Sequence, residues 1–222
     1  GDTDLVAAAA VLDAWDRRFD LDSRGAALWR ELVATFSPAE FRDAGGLFAT
    51  GFDADDPIAT PHGLAAPAGP DGADQVLAAV RRALLGLQGA DVAPDAPLGE
   101  VQWADRGGER VAVHGGGEGD GVCNILAPTG ALATTSIEPG PARLDPVPGH
   151  TDRTGLAAGG YRCTYGTSFV MSVELTDRGP EGLVLLAYGQ SGDPRSPHHR
   201  DGTDAYAAKA CRPIRFHDAD IE

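Results

Sequence analysis

The sequence predicts an α+β fold, with a mainly helical segment over residues 1–96 and a β-rich segment over residues 97–222. Three observations predict it. Apolar residues recur at three- and four-residue intervals through the first half, the period shortens to two in the second half, and glycine turns punctuate the second half between short apolar runs. Nothing in the intervening segments calls for a second domain, so both halves are expected to belong to one larger domain.

The first helix is expected from Asp4 to Trp15, where Leu5, Ala8, Ala9, Leu12 and Trp15 fall on one face. Ser23 is positioned to cap a second, in which Leu28, Leu32 and Phe36 repeat at four-residue intervals while Trp29 and Val33 widen the stripe. Ser37-Pro38-Ala39-Glu40 then supplies a cap, a proline at the first helical position and a glutamate at the third, which predicts a short helix ended by Gly45-Gly46. Phe48 to Asp74 is rich in Pro, Gly and Asp without a sustained period, and reads as a long ordered loop at 48–74. Ala73 to Gln88, with Leu77, Val80, Leu84 and Leu87 along one face and Gly89 just beyond, is the most regular helix of the chain.

Short strands follow. Glu109 to His114 alternates weakly, the glycine run 115–121 reads as a flexible turn, and Val122 to Leu126 forms another apolar piece. In Thr167 to Leu175, Phe169, Met171, Val173 and Leu175 alternate with polar residues, which predicts a strand with one buried face. A turn at 178–182 leads into Leu183 to Tyr188, whose continuous apolar run predicts a more fully buried partner, so the two make a hairpin near 167–188. Asp201 to Lys209 fits a last helix and Cys211 to Phe216 an extended end.

Composition narrows the function. The 222 residues are 42% hydrophobic, enough for a packed core, and carry a net charge of −15 with no Lys/Arg cluster, which argues against a nucleic-acid partner. No apolar run is long enough to span a bilayer. The chain opens on Gly1 and holds one methionine, Met171, which reads as a mature or excised piece. Cys123, Cys163 and Cys211 lack metal-ligand spacing; one disulfide or buried free thiols both fit.

Candidate chemistry concentrates in residues 189–201. Gly189-Gln190-Ser191-Gly192 is similar to the surroundings of a serine-protease nucleophile, for which His62 is the natural upstream base, although its Thr60-Pro61-His62-Gly63 setting holds no supporting motif. The competing reading is a turn in which the Ser191 hydroxyl bonds local backbone. Asp193, His198, His199 and Asp201 could gather zinc or calcium, but adjacent histidines on an extended chain point to opposite sides, and a satisfied surface pair is the plainer reading. The glycine run lacks the ending of a phosphate loop. Trp15, Trp29 and Trp103 read as core or interface aromatics rather than a substrate cage.

Beyond these local readings, ordered blocks run along nearly the whole chain. Trp15-Asp16, Asp22-Ser23-Arg24-Gly25-Ala26-Ala27-Leu28-Trp29, Phe52-Asp53, Asp56-Pro57 and Thr60-Pro61-His62-Gly63-Leu64 come first. Pro97-Leu98-Gly99-Glu100-Val101-Gln102, His114-Gly115-Gly116, Gly166-Thr167-Ser168-Phe169, Gly189-Gln190-Ser191-Gly192-Asp193-Pro194 and Ser196-Pro197-His198 follow. In that order they resemble the later part of the large (β) subunit in the penicillin acylase family, nearest to the branch of acyl-homoserine lactone acylases and aculeacin-type lipopeptide acylases. His199 and Gly202 depart from the family loop, where Tyr and Gln are usual.

The resemblance implies an N-terminal-nucleophile (Ntn) hydrolase: a four-layer αββα sandwich, matured by self-cleavage into a small (α) and a large subunit, exported to the periplasm or secreted, and needing no cofactor or metal. Members release an acyl chain from an N-acylated amine such as an acyl-homoserine lactone, a lipopeptide or a β-lactam. A new N-terminal serine uses its own α-amine, which titrates near neutrality, as base. Gly1 has no hydroxyl, and Asn124 does not match the family's oxyanion position. No catalytic residue is therefore expected in this chain; the serine, its histidine and the oxyanion asparagine are expected upstream. The chain alone is expected to be inactive, with the preceding part of the large subunit, the small subunit and a small acylated amine as partners. A non-catalytic binding module and a stand-alone hydrolase using Ser191 are the alternatives.

Overall fold

The computed structural model describes residues 2–44, 47–64, 74–117, 120, 126–128, 154–166 and 168–215. Three helices make one core. These are α1 (Asp2–Ala14), α2 (Ala26–Val33) and α4 (Asp74–Gly89), with a short α3 (Pro38–Arg42) between the second and third. Ala8, Ala27, Leu28, Leu32, Ala79, Ala83 and Leu87 interlock where α1, α2 and α4 meet, and the alanines let the helix axes approach closely.

The local causes of these helices differ in part from the sequence expectation. Ser23 does not cap α2. Its hydroxyl donates to Asp16 Oδ2 at 3.0 Å and accepts from the Asp20 amide at 3.2 Å, tying the preceding turn. Gly25 is the capping residue, at φ 98°, where a Cβ would lie 3.0 Å from that of Trp15; only glycine fits both conditions. The start of α3 is the predicted capping box: the Glu40 amide donates to Ser37 Oγ at 3.3 Å and the Ser37 amide to Glu40 Oε2 at 2.7 Å. It ends at Arg42, and Gly45-Gly46 lie outside the described residues. In α4 the buried face is centred on Ala79, Val80, Ala83 and Leu87, so Leu77 is 39% exposed, and Gly89 closes the helix from within.

The stretch expected as loop at 48–74 contains two paired strands, β1 (Phe48–Thr50) and β2 (His62–Leu64), antiparallel with Phe48 opposite Leu64. Three residues are too few to establish a period, which is why the sequence conceals them. Beyond α4, the one-turn α5 (Leu98–Val101) leads into β3 (Gln102–Arg106) and β4 (Glu109–Ala112), an antiparallel pair. Two short strands, β5 (Ala127–Pro128) and β6 (Leu156–Ala157), and the longer β7 (Gly160–Tyr165) complete a sheet of order β4-β3-β7-β5, with β6 also on β7. β3 and β7 run parallel, and their side chains Trp103, Ala104, Tyr161 and Cys163 are buried. Residues 118–119 and 121–125 of the expected turn and apolar piece lie outside the described residues; Leu126 is buried.

The predicted hairpin is present as β8 (Phe169–Thr176) and β9 (Gly179–Leu186), paired over eight positions. Its turn is shorter than expected: Thr176 pairs with Gly179, leaving only Asp177 and Arg178 in the loop. α6 (Asp201–Ala207) and β10 (Arg212–Ile214) follow, giving a three-stranded sheet of order β10-β9-β8. Phe216 lies outside the described residues.

One expectation fails here. The alternating face of β8 is not buried: Phe169 is 47% exposed, Met171 55%, Val173 41% and Leu175 86%. On β9 only Leu185 is buried. The opposite face, through Val170 and Leu185, is the one packed on the second core, with Ala104, Val113, Leu126, Ala187 and Tyr206. The alternation correctly marks a strand with an apolar face, but among the described residues nothing covers that face.

Candidate functional site

The loop between β9 and α6 carries the residues that suggested chemistry, and its backbone folds tightly on itself. A Cβ at Gly189 would lie 2.2 Å from the carbonyl oxygens of both His198 and His199, and one at Gly202 would lie 2.3 Å from those of Leu186 and Tyr188. Glycine is required by this crossing of main chains. The Ser191 amide donates to His198 O at 3.1 Å, the Ser196 amide to Asp193 O at 2.9 Å and the His199 amide to Ser196 O at 3.1 Å. Thr203, fully buried, donates from Oγ1 to Ala187 O at 2.9 Å, anchoring the first turn of α6 to the strand end.

These bonds set the directions of the polar side chains. Ser191 Oγ accepts from the Asp193 amide at 3.1 Å, a local turn bond. His199, buried to 3%, places Nδ1 3.1 Å from the carbonyl oxygen of Ser191, not from its hydroxyl, so this nitrogen carries the proton and donates. His198 turns outward to Asp201 Oδ2 at 3.0 Å, and that bond holds the Asp201 carboxyl below its ordinary pKa. Asp193 takes both forks of the Arg195 guanidinium at 3.0 Å, which lowers its pKa too. The four candidate metal ligands thus divide among three separate partners. Among the described residues no group of three or more His, Cys, Asp or Glu side chains converges on a common point. His62 stands on β2 opposite Thr50, in the two-stranded sheet, not beside Ser191 as base.

The loop is braced from the first sheet. Arg106 of β3 donates to His199 O at 2.8 Å and lies over the Tyr188 ring at 5.4 Å. Arg200 pairs with Asp204 at 2.9 Å and with Glu109 of β4. His114 stacks on Tyr206 at 4.2 Å, its Nε2 donating to Tyr206 O at 2.8 Å, while the Tyr206 hydroxyl donates to His114 O at 3.0 Å. Burial holds the imidazole below its ordinary pKa, against a smaller upward pull from its bond to the Tyr206 carbonyl.

A second polar constellation escaped the sequence reading, and its Arg30, Glu31, Gln102 and Tyr161 are almost fully buried. Arg30 of α2 is 2% exposed; its guanidinium lies 4.4 Å from the Tyr161 ring centroid and 5.3 Å from that of Phe19. Nε donates to Asp120 Oδ2 at 2.8 Å and Nη2 to Gln102 Oε1 at 2.9 Å. Burial, the largest single influence, disfavours the charge on Arg30, but Asp120 together with Tyr161 and Cys163 outweighs it, so the group stays above its ordinary pKa. Gln102, fully buried, donates its amide protons to Val113 O at 2.8 Å and Gly115 O at 2.9 Å. Next to Arg30, Glu31 accepts from the Tyr161 hydroxyl at 2.7 Å, and burial foremost pushes that phenol well above its usual range. Cys163 nearby is pushed up to about 12 by burial, so it remains a thiol and offers no nucleophile near neutral pH. The signal was legible in principle: Ala26, Ala27, Leu28, Trp29, Leu32 and Val33 surround α2 with apolar residues, leaving no wet face for Arg30 and Glu31.

The two constellations bind strands, loops and helices to one another. The Tyr161 hydroxyl meets a carboxylate, Glu31, but burial foremost holds that phenol protonated near neutral pH. Among the described residues no helix is long and apolar enough to cross a membrane.

Comparison with known proteins matches residues 2–222 to the penicillin amidase family model. Aculeacin-A acylase of Actinoplanes utahensis is 33% identical over 221 residues, covering 98% of this chain and 23% of that enzyme. The acyl-homoserine lactone acylase PvdQ of Pseudomonas savastanoi is 27% identical over 218 residues, and that of Pseudomonas putida 31% over 222, each with 24% of its length covered. The chain therefore spans about a quarter of the length of the curated relatives it matches.

Proposed function

The chain belongs to the penicillin amidase family, and we propose that it is the carboxy-terminal portion of the large subunit of an acylase, an amide hydrolase whose nucleophile is carried by sequence preceding these residues. The observation that carries the reading is the match of nearly the whole chain to acylases of which it spans only 23–24%. The geometry supports it in two ways. The polar loop at 189–201 is consumed by its own structural bonds, and the exposed Phe169, Met171, Val173 and Leu175 make an apolar sheet face of the kind that burial elsewhere in a larger molecule would satisfy.

In this reading no residue of the chain touches the scissile amide. An N-terminal serine elsewhere in the protein attacks the carbonyl, its own α-amine taking the hydroxyl proton, and water then releases the acyl group. The chain contributes scaffolding to an αββα sandwich: α1, α2 and α4 supply part of a helical layer, and the β3–β7 sheet with the β8–β9 hairpin supplies strands. Residues 1–96 and 97–222 then belong to one larger domain, a reading supported by bonds from Gly115 to Phe19 O at 2.8 Å, Leu98 to Ser23 O at 3.0 Å and Gly159 to Ala90 O at 2.7 Å. The remaining large-subunit sequence and a small subunit released by self-cleavage complete the enzyme, in the periplasm or outside the cell. Its substrate is an acylated amine of the type the relatives' names describe, an acyl-homoserine lactone or a lipopeptide.

The test is turnover of a long-chain N-acyl-homoserine lactone, followed by appearance of free amine. The 222-residue chain alone gives none, and the longer polypeptide read in the same frame gives amine together with an acyl product. Hydrolysis by the chain alone, with covalent labelling of Ser191 by a phosphonate, would overturn the reading.

A further inference from the structure

We propose that the outer edge of β8 is a strand-docking edge, filled in the complete protein by an extended, alternately apolar strand from the part of the acylase that lies outside these residues. This rests on the reading of the chain as one portion of a longer acylase.

β8 is bonded to β9 through eight consecutive pairs without a register shift, and among the described residues no strand lies along its other side. About half of the main-chain groups of an antiparallel strand point away from its one neighbour, so a row of donors and acceptors along β8 has no strand partner among the described residues. Proteins usually blunt such an edge by making it short, kinked, charged or proline-bearing. Among the described residues the other outer strands of the two larger sheets follow that rule, β6 by having only two residues. β10 has three residues including Pro213, β5 has two including Pro128, and β4 has four, of which Glu109 and Arg110 are charged. β8 breaks it, with eight residues, Phe-Val-Met-Ser-Val-Glu-Leu-Thr, one charge and no lysine, glycine or proline.

The two faces of the hairpin specify the incoming strand. Antiparallel partners share a face, so Phe169, Met171, Val173 and Leu175 stand with Leu186, Val184, Gly182 and Pro180 on a wholly apolar side. The other side packs Val170 and Leu185 on the second core at one end and turns polar toward the hairpin tip, where Glu174 sits directly opposite Glu181 and Arg178 lies 2.8 Å from Glu181. A strand joining β8 must therefore be apolar at alternate positions, to continue the apolar side, and hydroxyl-bearing or basic beside Glu174. The relatives supply ample chain for it: three-quarters of their length lies outside the matched region.

Hydrogen–deuterium exchange over residues 169–176 tests this, measured by mass spectrometry on the 222-residue chain and on the longer polypeptide of the same reading frame, with acylase activity assayed on the same longer sample. The amides not bonded to β9 are expected to exchange freely in the chain and to slow by about 100-fold or more in the active longer protein. An active longer protein in which these amides still exchange freely would overturn the proposal while leaving the acylase reading intact. Slow exchange already present in the monomeric 222-residue chain would overturn it, as would slow exchange accompanied by a doubled mass, which would assign the edge to a second copy.

Discussion

At His114 the direction of a single titration sets a dependence of stability on pH. Burial lowers its pKa in the fold, against a smaller upward pull from its bond to the Tyr206 carbonyl, while Lys209 lowers it and Asp20 raises it less. The unfolded chain, with an ordinary value of 6.5, binds the proton more readily, so the contribution is complete above that value and is lost as pH falls through the lower folded value. Melting temperature is expected to drop between about pH 7.5 and about pH 5.5, and His114→Gln to flatten that drop. The lowered carboxylates Asp20, Asp193 and Asp201 act below 3.8 and do not overlap this window. A second expectation concerns space. Gly202→Ala drives a methyl into two backbone carbonyls and should cost about 1–3 kcal/mol, whereas Gly192→Ala, with nothing within 4 Å of the new atom, should stay within about 0.5 kcal/mol; chemical denaturation of both variants checks the pair.

Among the elements, α3 depends most on its own first residues, because it packs chiefly on the three-residue β1. Ser37→Ala removes one half of its capping box and is expected to cost about 1 kcal/mol locally, read as faster hydrogen exchange in α3 with little change in the global melt. That helix was legible because its signal is local, as were α1, α4 and the hairpin, each with a period of its own. β7 was not. Tyr161, Arg162 and Cys163 are all buried in succession, so no alternation marks the strand, and Arg162 reads as a surface residue until Asp105 is found 2.6 Å away. The candidate site divides in the same manner. Sequence adjacency places Ser191, His198, His199 and Asp201 in one loop, but which atom each ring meets follows from the main-chain crossing at Gly189, a contact between residues nine and ten positions apart.

Across the whole molecule, Arg30 joins the helical half to the glycine turn of the β-rich half through Asp120, a partner 90 residues away, with both side chains almost fully buried. Asp120→Asn leaves the guanidinium charge uncompensated and is expected to cost about 3–5 kcal/mol, while the double variant with Arg30→Met should be less unstable than the single; urea midpoints for the four-member cycle decide this. Beside that pair sits Gln102, which gives two protons to carbonyls from one end of its amide and takes one from Arg30 at the other. Glutamate has the length but no proton to give, methionine neither gives nor takes well, and asparagine falls a methylene short. A neutral amide of this length meets all three demands, and it acts as the keystone on which the arch from helix to glycine turn closes.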